Sequence, residues 1–99
     1  MVRTSQALPL ICALGALVAG CGHPASKQEC ESIFRRSAEL ALRDRQVTDP
    51  AEIKKRVAEV REAEGETLLK DCVGKRITDR AMQCVQDAAS KQALEACLK

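Results

Sequence analysis

Ser26-Lys27-Gln28-Glu29-Cys30-Glu31-Ser32-Ile33-Phe34-Arg35-Arg36-Ser37-Ala38-Glu39-Leu40-Ala41 is the stretch that decides the fold class. Its opening tetrad has the form of a capping box, in which a serine oxygen and a glutamate three residues on each satisfy an orphaned backbone N–H. From there Cys30, Ile33, Phe34, Ser37, Ala38, Leu40 and Ala41 recur at spacings of three and four, so they share one face of a helix of about 18 residues. That face needs a partner. It follows the connection Gln46-Val47-Thr48, where Asp49-Pro50-Ala51-Glu52 is a second start signal: an aspartate N-cap, proline at the first helical position and an acid in the first turn.

The second helix is predicted from Pro50 to Cys72 or Val73, with Ile53, Val57, Val60, Leu68, Leu69 and Cys72 as its apolar positions. Ala63 and Gly65 thin the pattern, and glycine costs about 1 kcal/mol relative to alanine inside a helix, so residues 63–66 are the place for a kink or break. Gly74 fits the residue that ends this helix. Thr78 caps a third helix from Asp79 to about Ala88, showing Ala81, Met82, Val85 and Ala88 on one side. Ser90 caps a short fourth, with Ala93, Leu94, Cys97 and Leu98 inward. No alternating β-branched run of four or more residues occurs. The fold class is therefore all-α, a small antiparallel helical hairpin or bundle of three to four helices.

The chain has 99 residues, 45% of them hydrophobic and 30% charged, with Phe34 its one aromatic. That limits it to one small domain and excludes a multidomain enzyme. Lys and Arg number 16 against 14 Asp and Glu, a balance that offers nucleic acid no basic surface. Glu31 and Arg35, Glu39 and Arg43, Glu52 and Arg56, Glu66 and Lys70, Asp71 and Lys75, and Glu95 and Lys99 place acid four residues before base. Each such exposed pair contributes about 0.2–0.5 kcal/mol on a solvated helix face. Lys54-Lys55-Arg56 points in three directions around a helix and is flanked by Glu52 and Glu59, so it reads as solvated surface.

The amino terminus reads as an address. Met1 to Gln6 is polar and carries Arg3, and Ala7 to Ala19 is apolar apart from the interruptions at Pro9 and Gly15. As a helix this run is about 20 Å long, short of a bilayer core of about 30 Å, which gives it the shape of a secretory signal. Leu17-Val18-Ala19-Gly20-Cys21 resembles the bacterial lipobox, with small residues before a cysteine whose thiol accepts diacylglycerol. The resemblance to the lipoprotein class implies cleavage between Gly20 and Cys21, lipidation of Cys21 including palmitate, and a membrane anchor without a spanning helix. It also implies delivery to the outer membrane, facing periplasm or surface, because Gly22 stands where an aspartate retains lipoproteins in the inner membrane. The expected organisation is a signal peptide over 1–20, a lipidated tether over 21–25 and a helical domain over 26–99.

With Cys12 in the signal and Cys21 lipidated, Cys30, Cys72, Cys84 and Cys97 remain, an even number in an oxidising compartment. Two disulfides follow. Their separations do not make zinc knuckles, and no Cys-x-x-Cys pair exists for thiol redox chemistry, so no metal or cofactor is expected. Loop entropy does not choose a pairing, since each of the three totals about 7–8 kcal/mol. Symmetry about the turns near Thr48 and Ser90 favours Cys30–Cys72 with Cys84–Cys97, and symmetry about Ile77 leaves Cys72–Cys84 with Cys30–Cys97 open. The pattern Cys30…Glu39-Leu40-Ala41…Cys72…Met82-Gln83-Cys84-Val85…Ala88…Leu94-Glu95-Ala96-Cys97 resembles a set of small lipoproteins of myxobacteria that carry four cysteines on short helices. That resemblance, over most of residues 30–97, implies the architecture and no activity.

Catalysis is not expected. The single histidine, His23, falls in the tether, and Ser32, Ser37, Thr67, Thr78 and Ser90 have no base near them in sequence. No glycine-rich phosphate loop occurs. The expected function is a membrane-anchored envelope lipoprotein acting as a non-catalytic structural or protein-interaction module. Its partner is an unidentified envelope protein and its oligomeric state is open. Leu42, Val47, Leu69 and Ile77 are candidate contacts where a small bundle leaves them uncovered, although each such residue is more often core or singly exposed than part of a binding patch. The alternative is a small carrier or chaperone-like protein that holds an apolar ligand or unfolded client in gaps beside Ala38, Ala41, Ala63 and Gly65.

Overall fold

A computed structural model describes residues 22–99. The segment 1–20 expected as a signal, with the expected cleavage residue Gly20, and Cys21, the expected lipidation residue, lie outside the described residues. Four helices form: α1 over Lys27–Asp44, α2 over Pro50–Cys72, α3 over Asp79–Asp87 and α4 over Lys91–Cys97. Every helix begins at the cap legible in the sequence. Glu29 N donates to Ser26 Oγ at 3.0 Å while Ser26 N donates to Glu29 Oε1 at 2.9 Å, closing the capping box of α1. Asp49, Thr78 and Ser90 accept from the backbone of Glu52, Ala81 and Ala93 in the same way. After α1, Gln46 turns the chain with φ 69°, and Gly74, at φ 91°, turns it after α2.

α1 and α2 make an antiparallel hairpin, and α3 and α4 fold back together across α1. Cys30–Cys72 joins the start of α1 to the end of α2, with Cα atoms 5.9 Å apart, and Cys84–Cys97 joins α3 to α4 at 5.7 Å. Of the pairings the sequence left open, this is the one that forms. Two disulfides point to an oxidising, extracytoplasmic compartment. No helix among the described residues is long and apolar enough to cross a membrane.

The core has two parts. Ala25, Cys30, Leu69 and Ile77 form one, and Leu40, Val85, Ala88 and Leu94 the other, with Ile33 packed against both. Polar bonds hold the α3–α4 pair onto α1: Arg36 Nη2 donates to the Ala88 carbonyl at 2.8 Å, Gln86 Nε2 to Ser32 Oγ at 2.9 Å, and Lys91 N to Asp44 at 3.2 Å.

Three expectations change. Residues 22–25 are not a free tether: His23–Pro24 (β1) pairs antiparallel with Arg76–Ile77 (β2), His23 opposite Ile77. Ala25 N donates to the Lys75 carbonyl at 2.7 Å, and Gly74 N donates to the Ala25 carbonyl at 2.9 Å. Gly22, at φ 73°, lies so close to the Ile77 carbonyl that any side chain would collide with it. These strands are too short for periodicity to announce, and long-range pairing alone creates them.

Second, α2 runs unbroken through Gly65. The missing Cβ is where the Arg61 side chain crosses, and a methyl group there would stand 2.6 Å from Arg61 Cδ. Arg61 Nε thereby donates to Glu31 Oε1 at 2.7 Å, across from α2 to α1. Third, among the expected acid–base pairs only Glu52–Arg56 forms, at 2.7 Å. Glu31 turns to Arg61 rather than Arg35 because the neighbouring helix brings a guanidinium within reach.

Candidate functional site

α1 carries a wide apolar face, and its neighbours cover only the flanks. Between α2 on one side and the α3–α4 pair on the other, a strip stays open as two grooves that meet at Leu68. One, of about 510 Å³, is lined by Ile33, Leu68, Cys72, Ile77, Ala81 and Leu98 among others. The other, of about 350 Å³, is lined chiefly by Phe34, Ala38, Ala41, Leu42, Val60 and Leu68. Sharing Leu68, they run on as one trough, to which α1 contributes Ile33 in the first groove and Phe34, Ser37, Ala38, Ala41 and Leu42 in the second.

Small residues make it. Ala38 and Ala41 leave space where a leucine would fill the floor, and the stapled Cys72 and Cys97 form part of the first groove's wall. Leu68 is 47% exposed and Leu98 44%, two of the three exposed large apolar side chains among the described residues, and both stand on the trough. Around the rim are Arg45, Lys75, Arg76, Lys91 and Lys99, against Asp71 and Glu64. The trough is thus apolar inside and mainly cationic at its edge.

Sequence reasoning found part of this site. Leu42 lies in it and Val47 is half-buried, while Leu69 and Ile77 are 6% and 8% exposed and take the core positions more usual for such residues, Ile77 lining the first groove as well. Helical periodicity places Leu68 and Leu69 alike near the apolar side, and the packing of Ala25, Cys30 and Ile77 against Leu69 decides which is covered. Ala38 and Ala41 line the trough as the gap argument supposed, whereas Ala63 faces solvent and Gly65 is filled over by Arg61. Leu98, expected inward, is exposed; its position one residue beyond α4 was the signal available.

His23 also departs from expectation. Its Nε2 lies 2.8 and 3.0 Å from the two carboxylate oxygens of Glu29, so the ring is held against the start of α1 rather than loose. The Ser26 backbone N–H, and after it the His23 ring, hold the Glu29 carboxyl below its ordinary range. Arg56 does the same for Glu52. Donor atoms of His23, Glu29 and Asp79 lie within 4.8 Å of one another, the group among the described residues that could hold a metal ion.

The trough carries no nucleophile paired with a base. It presents apolar surface with mainly cationic side chains at its edge. The chain matches no protein family, no curated protein and no solved structure.

Proposed function

We propose that this chain is a lipid-anchored envelope protein, cleaved after Gly20 and acylated on Cys21, whose stapled helical body is a non-catalytic docking module. The carrying observation is the trough on α1, with Leu68 and Leu98 left exposed above a floor of small residues. Its shape and rim suit an amphipathic helix of an envelope protein, apolar on one face and flanked by acidic residues. Anchoring at the outer membrane would present this face at a set distance from the bilayer, in the compartment to which the disulfides point.

The intact mass of protein extracted from its native membrane tests the anchor: a mass beginning at Cys21 with lipid, and no free thiol on Cys30, Cys72, Cys84 or Cys97, supports it. A mass retaining residues 1–20 removes it. A photo-crosslinker at position 68 tests the trough, with position 59 on exposed helix surface as control. Leu98→Glu should abolish the position-68 adduct in favour of free monomer while changing stability by less than about 0.5 kcal/mol. Equal crosslinking from both positions would defeat the docking reading.

The larger groove's volume of about 510 Å³ supports a second reading, a carrier for an anionic amphiphile such as a fatty acid. Native mass spectrometry of the extracted protein separates the two. A co-retained small molecule lost in Leu98→Glu supports the carrier, and an empty trough with a specific protein adduct supports docking.

A further inference from the structure

His23, Glu29 and Asp79 come from three chain segments and meet at one point. β1 fixes His23 by its pairing with Ile77. The capping box fixes Glu29, using Oε1 for the Ser26 backbone and leaving Oε2 2.8 Å from His23 Nε2. Asp79 is the first residue of α3, directly after its Thr78 cap. Its carboxylate is exposed and joins no ion pair among the described residues. The donor atoms of all three fall within 4.8 Å of one another.

From this geometry we propose that His23, Glu29 and Asp79 bind a divalent cation of the zinc class, which clasps residues 22–25 to the starts of α1 and α3. One imidazole nitrogen and two carboxylates are a donor set for zinc and neighbouring first-row ions, whereas calcium and magnesium prefer oxygen alone. Two carboxylates beside a single imidazole leave negative charge that a dication neutralises. Ligands of a tetrahedral ion at about 2.0–2.1 Å stand about 3.3 Å apart, so admitting the ion opens the His23–Glu29 contact by about half an ångström and draws in the Asp79 carboxylate, which makes no ion pair with His23 beforehand. The ion takes the lone pair of Nε2, so the proton that Nε2 donates to Glu29 is given up and the ring carries its one proton on Nδ1. With three protein ligands, the fourth position belongs to water on the open side, where the His23 side chain is 42% exposed.

The test uses the untagged full-length chain in detergent, with its free thiols alkylated and metal removed by a chelator, dialysed to equilibrium against Zn²⁺. One Zn²⁺ per chain is expected, with a dissociation constant below about 100 μM. His23→Gln and Asp79→Asn should each weaken binding by at least tenfold, with helical content retained, and Glu59→Gln should leave it unchanged. Bound Zn²⁺ should also slow exchange of the Ala25 amide, which reports the β1–β2 clasp. Absence of uptake, uptake that survives either ligand substitution, or equal uptake of Ca²⁺ overturns the site, and binding without slower Ala25 exchange overturns the clasp.

Discussion

Where residues 22–25 meet the ends of α1 and α2, the chain is tied by long-range bonds: a disulfide, a two-residue strand pair and a core cluster around Cys30 and Ile77. At the far tip of the α1–α2 hairpin, from Arg45 to Arg56, Ile53 is the single buried side chain. Structure at the tip is local, made of the Asp49 cap, the left-handed Gln46 and the Glu52–Arg56 pair. Local signals are enough to draw a helix and turn it, but each contributes about 1 kcal/mol or less. Stability resides at the base and along α1 where α3 and α4 pack, so the two ends should respond differently to the same kind of damage.

The largest effect is expected from the staples. Replacing Cys30 and Cys72 by alanine removes about 4 kcal/mol and replacing Cys84 and Cys97 about 3 kcal/mol by loop entropy, against a total of about 5–15 kcal/mol for a domain. Urea denaturation should show the double variant largely unfolded, and a stable, native-like protein without either disulfide would break the contrast between the ends.

Core truncation sharpens it. Leu94→Ala, at a site only 1% exposed within a cluster, should cost about 3–5 kcal/mol, and Ile53→Ala, among exposed neighbours able to close over the gap, about 2 kcal/mol. Equal losses in denaturation midpoint would mean the tip is as tightly packed as the base. At Gly65, alanine gains about 1 kcal/mol in helix propensity and displaces Arg61 from Glu31, a pair worth up to about 1 kcal/mol, so the net change should stay below about 1 kcal/mol. A double-mutant cycle with Arg61→Ala checks that the two effects are coupled.

Acid provides the smallest contrast. Glu29 at the base and Glu52 at the tip both have carboxyls lowered in the folded state. The unfolded chain therefore binds more protons in acid, so this stabilisation is complete above the ordinary carboxyl range, about 4.3, and is lost as pH falls through the lowered folded values. Thermal midpoints recorded from neutral pH into acid should fall less steeply in Glu29→Gln and in Glu52→Gln than in the parent chain. An unchanged profile in both would remove these carboxylates from the acid response.

Much of this fold was legible because its signals are short-range. Ser26, Asp49, Thr78 and Ser90 cap from within three residues, and the spacing of Cys30, Ile33 and Leu40 needs only the helical repeat. The β1–β2 pair was hidden because two residues carry no period, and the meaning of Gly65 was hidden because it depends on where a side chain four residues earlier lies. The trough was half visible: Ala38 and Ala41 are on the face that periodicity identifies, but Leu68 was indistinguishable from Leu69 until Ala25, Cys30 and Ile77 closed around the latter.

By itself, then, the sequence determined the helices, their order, their starting residues and the even set of cysteines, all properties of hydrogen bonds and side chains a few residues apart. Tertiary structure chose the favoured Cys30–Cys72 pairing over its rival, and alone decided that Glu31 leaves Arg35 for Arg61, that His23 is seated on Glu29 beside Asp79, and that Leu68 and Leu98 stay open while Leu69 closes. The reason is physical: those choices depend on distances between segments far apart in the chain, which are set only when the helices pack.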